Sequence, residues 1–453
     1  MKTFVRLLLT GGMFGATASA NLMGQEPRHD WPKVTHGQQP RPVPSDDEPQ
    51  KLIRYLRQQN TVLRKERDEL RAQVHDLEQQ IARLTNGRLP PGSRVPYNGD
   101  SMMRFVSVAT ILLFSINSRS VAEDSIESQH LKNIRQVTSG MVKAGEGYFS
   151  PDGKTIIYQA VPQGYPFYQI YKQPLEGGEP TLVSSGRGRT TCAFFHPDGD
   201  KLIFASSHLD PQLSATENKE RKQQEEDAKT GKRRRYQWDF DPHMDIFEAD
   251  LDGKHLKNLT NSPGYDAEGA YSADGRLIAF CSDRDGDPDI YLMDADGDNP
   301  RQITNQPGYD GGPFISPDGK WIIFRSDRKK EGFLQIHAIS LDGKTDIALT
   351  ENEGVNWAPY WHPTKPYIVW TGADHSNPTQ RPNYDLWLLR YRIDDEGLHA
   401  DGEPIRITDH ASADVLPVFS PDAKRLMWTS GRGADGTSQL WIADLALPDG
   451  DSR

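Results

Sequence analysis

From residue 134 onward, short apolar runs alternate with polar turns, and this alternation repeats along the chain. In each repeat, one apolar run leads into a turn of the type Ser/His-Pro-Asp-Gly, and a second apolar run follows. The turns begin at six positions: Ser150, His196, Ser272, Ser316, His362 and Ser420. Repeats of about 45 residues built from short strands are typical of β-propeller blades. The pattern therefore predicts an all-β, six-bladed β-propeller over residues 134–446.

Each repeat contains four predicted strands, here called a to d. In the third repeat they are EGAYS, LIAFCS, DIYLMDA and RQIT, and Asp296-Gly297 separates the last two, which is a strong hairpin signal. The sixth repeat lacks strand d after QLWIADL, whereas an extra copy, Ile134–Thr138, precedes the first turn. We expect this N-terminal strand to complete the sixth blade, because a propeller must protect its sheet edges.

Two repeats are longer than the others, and their extra residues, 209–241 and 372–385, are assigned to the b–c connections. In a propeller these connections lie on the same face as the d–a connections, around the mouth of the channel. The a–b and c–d turns on the opposite face are predicted to be short. Long loops on a rigid scaffold usually serve function, so the loop-rich face is the candidate functional face.

The chain before the propeller carries two signal-like segments. Residues 1–20 combine positive charge, an apolar stretch and a small-residue cleavage pattern, as secretory signal peptides do. Residues 102–122 contain a second apolar run, short for a membrane span. It is interpreted as the signal of a chain that starts at Met102 or Met103, with a membrane anchor or a buried stretch as alternatives. Each interpretation predicts a periplasmic, secreted or membrane-associated propeller.

The remaining N-terminal residues differ in pattern. Residues 21–50, rich in Pro, Gln and charge, predict a disordered linker, and residues 87–101 a second linker. Between them, leucines recur every seven residues: Leu56, Leu63, Leu70, Leu77 and Leu84. This spacing predicts a coiled coil over residues 51–86, through which the chain could form a dimer. A lone charged helix is the alternative.

Charge and cysteine content narrow the function classes. The formal net charge of -11 argues against nucleic acid as a partner, because phosphate binding needs a positive face. The two cysteines, Cys192 and Cys281, fall in apolar strands of different repeats, so we expect buried free thiols rather than a disulfide.

The repeat motifs also resemble a known family. Segments such as SPDGKWIIFRSDR (Ser316–Arg328) and DIYLMDADGDNPRQIT (Asp289–Thr304) are similar to the WD40-like repeats of TolB-type periplasmic proteins, over about residues 130–446. The resemblance implies a TolB-like propeller in the cell envelope. Related propellers serve as protein-docking modules, sugar-lyase scaffolds and gating domains of peptidases, so fold alone does not decide function. The α/β domain that precedes the TolB propeller does not fit into Glu123–Asn133, which puts a Tol-system role in doubt.

The candidate ligand-binding residues lie on the channel-mouth face, in the two insertions and the predicted d–a loops. Carboxylates meeting arginines there would suit a sugar, a metal or a peptide terminus, and loop-bracing hydrogen bonds are the alternative. The residues are Glu146, Arg187, Arg189, His208, Glu268, Asp310, Asn356, Trp357, His375, Asn377, Arg381, Asn383, Tyr384 and Asp414.

The first insertion contains a basic and aromatic cluster, Lys232–Arg235 with Tyr236 and Trp238. This cluster would suit an anionic glycan or an acidic partner. A solvated, partly helical excursion is the alternative interpretation.

Metal chemistry has two candidate sets. The carboxylates Asp283, Asp285, Asp287 and Asp289 alternate, but they lack the spacing of an EF-hand loop. The histidines His208, His243 and His375 flank the insertions, and lyases on related propellers use a histidine-rich divalent-metal site. No tight histidine spacing supports such a site here, and no cofactor is predicted.

Other repeated residues are assigned structural roles. The Ser-Asp-Arg motifs ending at Arg284 and Arg328, with Arg432 in the last blade, predict arginines that brace adjacent loops. Because no nucleophile, metalloprotease, P-loop or dinucleotide motif is present, the sequence predicts a non-catalytic, exported binding module for an envelope protein or an anionic glycan. A metal-dependent, oligogalacturonate-type polysaccharide lyase is the alternative.

Overall fold

The computed structural model describes residues 125–232, 240–377, 379–394 and 396–448. The predicted signal peptide, linkers, coiled coil and second apolar segment lie outside these residues, as does most of the basic cluster of the first insertion. None of the helices in the described ranges combines the length and apolar character that crossing a membrane requires.

Six antiparallel sheets form the six predicted blades, and strand a of each blade lies innermost. The chain enters through a short helix, α1 (Ile126–His130), and a strand, β1 (Leu131–Gln136). Blade 1 contains β2 (Lys143–Phe149), β3 (Thr155–Val161), β4 (Gln169–Pro174) and β5 (Thr181–Leu182). Blade 2 contains β6 (Thr190–Phe195), β7 (Lys201–Ser206), β8 (Asp245–Asp250) and β9 (Lys257–Asn258), with helix α2 (Leu213–Thr230) between β7 and β8.

The next two blades have no long insertions. Blade 3 contains β10 (Asp266–Tyr271), β11 (Leu277–Ser282), β12 (Asp289–Asp294) and β13 (Arg301–Gln302). Blade 4 contains β14 (Asp310–Ile315), β15 (Trp321–Ser326), β16 (Gln335–Ser340) and β17 (Asp346–Ala348).

The last two blades depart from this plan. Blade 5 contains β18 (Gly354–Trp361), β19 (Tyr367–Asp374), β20 (Asp385–Asp394), β21 (Gly397–Ala400) and β22 (Ile405–Arg406). Blade 6 contains β23 (Asp414–Phe419), β24 (Arg425–Ser430), β25 (Gln439–Leu445) and, from the other end of the chain, β1.

The repeated turns are built by side chains that bond the backbone. In the first turn, the Ser150 hydroxyl donates to Asp152 over 2.7 Å and accepts the Thr155 amide at 3.0 Å. Gly153 ends the turn in the left-handed region, at φ 68°. Where histidine replaces serine, a ring nitrogen takes over the acceptor role, as His196 Nδ1 does for the Asp198 amide at 3.2 Å.

The apolar core lies between neighbouring blades, because strands b and c are covered on both faces. Ile156 and Ile157 in blade 1, Trp370 in blade 5 and Trp428 in blade 6 are all buried. Strands with both faces covered read as nearly continuous apolar runs, which is why the sequence pattern locates them well.

The ring is closed as predicted. β1 pairs antiparallel with β25, joining Leu131 to Leu445 and Gln136 to Trp441. The strand starts three residues before the predicted Ile134, and Thr138 follows it as an anchor. The Thr138 hydroxyl accepts the Leu440 amide at 2.9 Å and donates to Gln439 at 2.8 Å.

One prediction about the turn face was wrong. In blade 5 the c–d connection is not a short turn, because β20 runs on to Asp394 and forms an additional hairpin with β21. Leu398 of that hairpin is buried in the same cluster as Trp321 of blade 4. The extra hairpin therefore extends the blade 4–blade 5 interface, and the second insertion accounts for only part of the long repeat.

Candidate functional site

The inner strands share one irregularity that organises the channel. Each has a register shift and a residue in the left-handed region, four positions before its turn. We call these six residues the channel ring: Glu146 (φ 46°), Cys192 (52°), Glu268 (60°), Gly312 (61°), Ala358 (52°) and Leu416 (57°). Because they hold equivalent positions in six blades, they lie at one level of the channel.

Positive φ at non-glycine residues costs on the order of 1 kcal/mol or more each and persists only where the surroundings hold it. Here neighbouring blades hold it. The Glu146 amide donates to the Thr429 hydroxyl at 3.0 Å, and the Leu416 amide donates to the Thr371 hydroxyl at 2.9 Å. The Gly312 amide donates to the Glu268 carboxylate. The irregularities in these three inner strands therefore also connect neighbouring blades through hydrogen bonds.

Four aromatic rings close the channel below the channel ring. Tyr148, Phe194, Phe314 and Tyr360 each follow a channel-ring residue by two positions, toward the turn face. Their centroids lie 5.1 Å apart for Tyr148–Phe194, 4.9 Å for Phe314–Tyr360 and 5.9 Å for Tyr148–Phe314. The last pair joins blades 1 and 4 across the axis. We call these four residues the aromatic floor, because their rings pack together across the channel on the turn side of the channel ring.

An ion pair stands beside the floor. The Arg325 guanidinium donates to Glu268 at 3.0 Å and to the Tyr309 hydroxyl at 2.6 Å, and Tyr309 donates to Glu268 at 3.0 Å. Tyr265 donates to the same carboxylate at 3.3 Å. Only 6% of the Arg325 side chain and 4% of the Glu268 side chain are exposed, so both charges depend on each other.

The other glutamate of the channel ring, Glu146, has a raised pKa. Desolvation raises the pKa of its carboxyl to about 7; a hydrogen bond from Cys192 opposes the shift, and the Glu268 charge adds to it. Burial also raises the pKa of the Cys192 thiol well above its usual value, so the thiol stays protonated. The channel therefore contains a carboxyl that changes charge near neutral pH.

Comparison with known families agrees with this architecture. Residues 285–381, in blades 3 to 5, match the TolB beta propeller domain. The repeat region is a TolB-like β-propeller.

Solved structures similar to this TolB-like propeller include three bacterial proteins. A putative TolB from Agrobacterium tumefaciens is 20% identical, with a TM-score of 0.45, and the match covers 69% of this chain and 97% of that protein. TolB from Acinetobacter baumannii is 18% identical (TM-score 0.44; 68% and 65% covered), so this chain spans slightly less than two thirds of that protein's length. An oligogalacturonate lyase from Vibrio parahaemolyticus is 17% identical (TM-score 0.44; 69% and 80% covered).

The TolB-like propeller places six predicted loop residues inside its inner strands. Glu146, Glu268, Asn356 and Trp357 were assigned to d–a loops, but they lie in β2, β10 and β18. Asp310 and Asp414, assigned to the same loops, are the first residues of β14 and β23. The strands start earlier than the apolar pattern indicates because their mouth ends carry polar residues. Asn356 is buried, accepting from Trp370 at 3.0 Å and donating to Gln335 at 3.1 Å, and Trp357 is 3% exposed.

The two predicted arginines bind the first insertion instead of the d–a carboxylates. Arg187 forms two hydrogen bonds to Glu217 of α2, at 2.7 and 2.8 Å. Arg189 pairs with Asp241 at 3.2 Å and lies over the Phe167 ring. The expected meeting of these arginines with the d–a carboxylates was wrong, because acidic residues within the insertion reach them first. The helix itself confirms the partly helical interpretation.

Asp310 and Asp414 are fully buried ion-pair partners. They pair with Arg328 at 2.5 Å and Arg432 at 2.6 Å, and the equivalent Asp266 of blade 3 pairs with Arg284 at 3.0 Å. These contacts confirm the bracing role predicted for the Ser-Asp-Arg arginines.

The second insertion is held by internal contacts. His375 packs edge-on against Phe333 and Tyr384, with centroids 5.9 and 6.3 Å away. Asn377 accepts the Thr379 amide at 3.0 Å, and Asn383 donates to the His410 carbonyl at 2.9 Å. Tyr384 is buried, while Arg381 is exposed. Tyr384 lies in the same buried apolar cluster as the channel-ring residue Ala358.

The structure does not gather the three candidate metal-binding histidines. His208 bonds the Ser206 hydroxyl at 3.0 Å and packs on Phe247, whereas His243 lies 3.6 Å from Asp210. Within the described ranges, the group with metal-ligand spacing is Asp285, Asp287 and Asp289. Gln302 donates to two of these carboxylates and the Gly308 amide to the third, so local hydrogen bonds account for the cluster.

The sequence-based prediction missed several channel residues: Cys192, Tyr309, Arg325 and the aromatic floor. Two signals could have found them. Channel-ring residues stand at a fixed distance before each turn. Arg325 is a charged residue at a strand-b position where the other blades have Gln159, Ala205, Cys281, Thr371 and Thr429.

Proposed function

We propose that this protein is an exported, non-catalytic binding module that receives a segment of a protein partner in the mouth of its channel. The observation that carries this proposal is the composition of the channel ring. Positions that only maintain the fold repeat from blade to blade, as the Asp–Arg pairs do. The channel ring instead combines two glutamates, a thiol and apolar residues at equivalent positions.

The desolvation cost of the charged residues supports a functional reason for the differences between the six channel-ring positions. Burying Glu146, Glu268 and Arg325 in a channel costs desolvation free energy that apolar residues of similar volume would avoid. Local departures from the structurally favourable choice are expected mainly at functional sites. The aromatic floor favours binding on the mouth side, because its rings pack together across the channel axis.

A protein partner suits the surroundings of the mouth. Helix α2, held there by Glu217, presents exposed side chains of both signs along most of its length. Mixed charge complements a protein surface better than a uniformly anionic glycan. An envelope protein is the partner class proposed, and a glycan or a metal-dependent lyase reaction is an alternative that the test below includes.

The test uses the full chain immobilised on a surface and a random peptide library, with an array of uronate-containing glycans in parallel. We expect peptides that bind the wild type and lose affinity at least tenfold when Glu268→Gln and Arg325→Met are combined. Asp152→Asn, on the opposite face, is the matched control. Glycan binding without peptide binding, or uronate cleavage dependent on added Mn²⁺, would overturn the proposal. Mass spectrometry of the mature N-terminus tests export.

A further inference from the structure

The Glu146 carboxyl has no cationic partner among the residues that the structure describes. The groups that act on its pKa at short range are the Cys192 thiol and the Tyr148 hydroxyl, both uncharged, while the charges of Glu268 and Arg325 act on it at longer range. Those two charges neutralise each other through their own ion pair. Once Glu146 ionises, the cluster carries one uncompensated negative charge in a poorly solvated channel.

The surroundings of that charge suit an organic cation. The aromatic floor begins two residues beyond Glu146, and rings near a carboxylate bind ammonium groups through their negative faces. A primary ammonium has three N–H donors. The Glu146 carboxylate and the Tyr148 hydroxyl offer oxygen acceptors for such donors, and the Cys192 sulfur offers a weak one. A Ca²⁺ or Mg²⁺ ion would need about six oxygen ligands, more than this set offers.

We propose that the channel ring binds a primary ammonium group, with the Glu146 carboxylate as its counter-ion and the aromatic floor beneath it. The inference rests on the proposed function, because the ammonium group belongs to the partner segment. Its source is a lysine side chain or the free amino terminus of a chain.

The geometry requires a slender group. Glu146 is the fourth residue of β2, about 10 Å below the mouth end of that strand at about 3.3 Å per residue. The four-carbon stem of lysine can lie against apolar walls while its charged end reaches a polar group. A chain terminus would enter as an extended segment.

Binding should depend on pH, because the ammonium group selects the ionised carboxylate. The groups facing Glu146 are Cys192, Tyr148, Glu268, Arg325 and, through Tyr148, Tyr360. Burial raises the pKa of Cys192 and Tyr148 well above their usual values, so both stay neutral between pH 6 and 8. Since the pKa of Glu146 is about 7, its ionised fraction, and hence the affinity, falls roughly tenfold from pH 8 to pH 6.

Three small probes test the site by calorimetry or NMR titration of the full chain: N-acetyl-lysine amide, alanine amide with a free amino group, and N-acetyl-norleucine amide. We expect one of the two ammonium probes to bind at least tenfold more tightly than norleucine, and that probe identifies the source. Glu146→Gln should lower this affinity at least tenfold and remove its pH dependence. Glu146→Asp should retain part of both. Glu396→Gln, on the exposed hairpin of blade 5, is the control.

Equal binding of the norleucine probe, unchanged affinity in Glu146→Gln, or no ammonium binding at millimolar concentration would each overturn the inference. The proposed function has a separate readout. If Glu146→Gln still binds the selected peptides as the wild type does, only the ammonium site is wrong. If the wild type binds no peptide, the proposed function is wrong as well.

Discussion

The Arg325 guanidinium occupies the space that a side chain at Gly312 would need. A Cβ atom placed on Gly312 would lie 2.2 Å from Arg325 Nη1, and the glycine has a φ of 61°. The channel-ring residue of blade 4 is therefore without a side chain. Arg325, from the second strand of the same blade, occupies that space.

Gly312→Ala should destabilise the protein by on the order of 2 to 4 kcal/mol, because backbone strain adds to displacement of a buried guanidinium. Gly319→Ala is the matched control, with a φ of 71° and no atom within 4 Å of its Cβ. It should show the strain alone. Urea unfolding of both variants measures the difference, and equal losses would show that Arg325 is not held in place.

Breaking the Glu268–Arg325 pair on one side should cost about 3 to 5 kcal/mol, since it leaves a buried charge without its partner. Combining Arg325→Met with Glu268→Gln should recover much of that loss. The exposed pair Lys344–Asp342, 2.9 Å apart, is the control, and its removal should leave the stability nearly unchanged, because solvent screens exposed charges. Additive effects of the two channel substitutions in a double-mutant cycle would contradict the coupling.

Glu146 should make the protein less stable as the pH rises from about 4.5 to about 7. Its folded-state pKa of about 7 lies above the ordinary value of 4.5, so the folded protein retains a proton that the unfolded chain releases. Glu146→Gln should remove this contribution and stabilise the protein at pH 8 by on the order of 1 to 3 kcal/mol. Denaturant unfolding at pH 5 and pH 8 measures it. Asp289 and Asp385 also have a pKa raised to about 7, so only the difference from wild type is informative.

Glu217→Gln should release helix α2 without unfolding the propeller. The carboxylate accepts from Arg187 and from the Tyr165 hydroxyl at 2.7 Å, and these contacts hold the helix against blade 1. Trypsin should cleave within Leu213–Thr230 several times faster in this variant, while the thermal midpoint of the blades shifts little. Glu225→Gln, at an exposed position of the same helix, keeps these contacts and all trypsin sites and serves as the control. An unchanged cleavage rate would show that other contacts hold the helix.

The number of blades and the ring closure could be predicted because both depend on local signals: a repeated turn and one unmatched strand. The channel ring could not, because it depends on where each inner strand bulges, and the apolar pattern does not mark that position. Glu146 and Glu268 were predicted as ligand-binding residues but were placed in loops. Arg187 and Arg189 were expected to meet the d–a carboxylates. Their partners in the insertion could not be predicted, because the insertion lies outside the repeat and its residues have no equivalents in the other blades.

Because β1 pairs with β25, blade 6 is completed by the first and the last strands of the propeller sequence. During synthesis, five blades can assemble in order, but the sixth must wait until residues 439–445 have emerged. Until then, β1 and the side of blade 1 that packs on blade 6 remain uncovered, and such exposed apolar surface favours aggregation. The same pairing limits where the chain can be cut by a protease. Glu127, just before β1, pairs with Arg432 at 2.9 Å. A cut beyond that point would open the ring rather than trim its end.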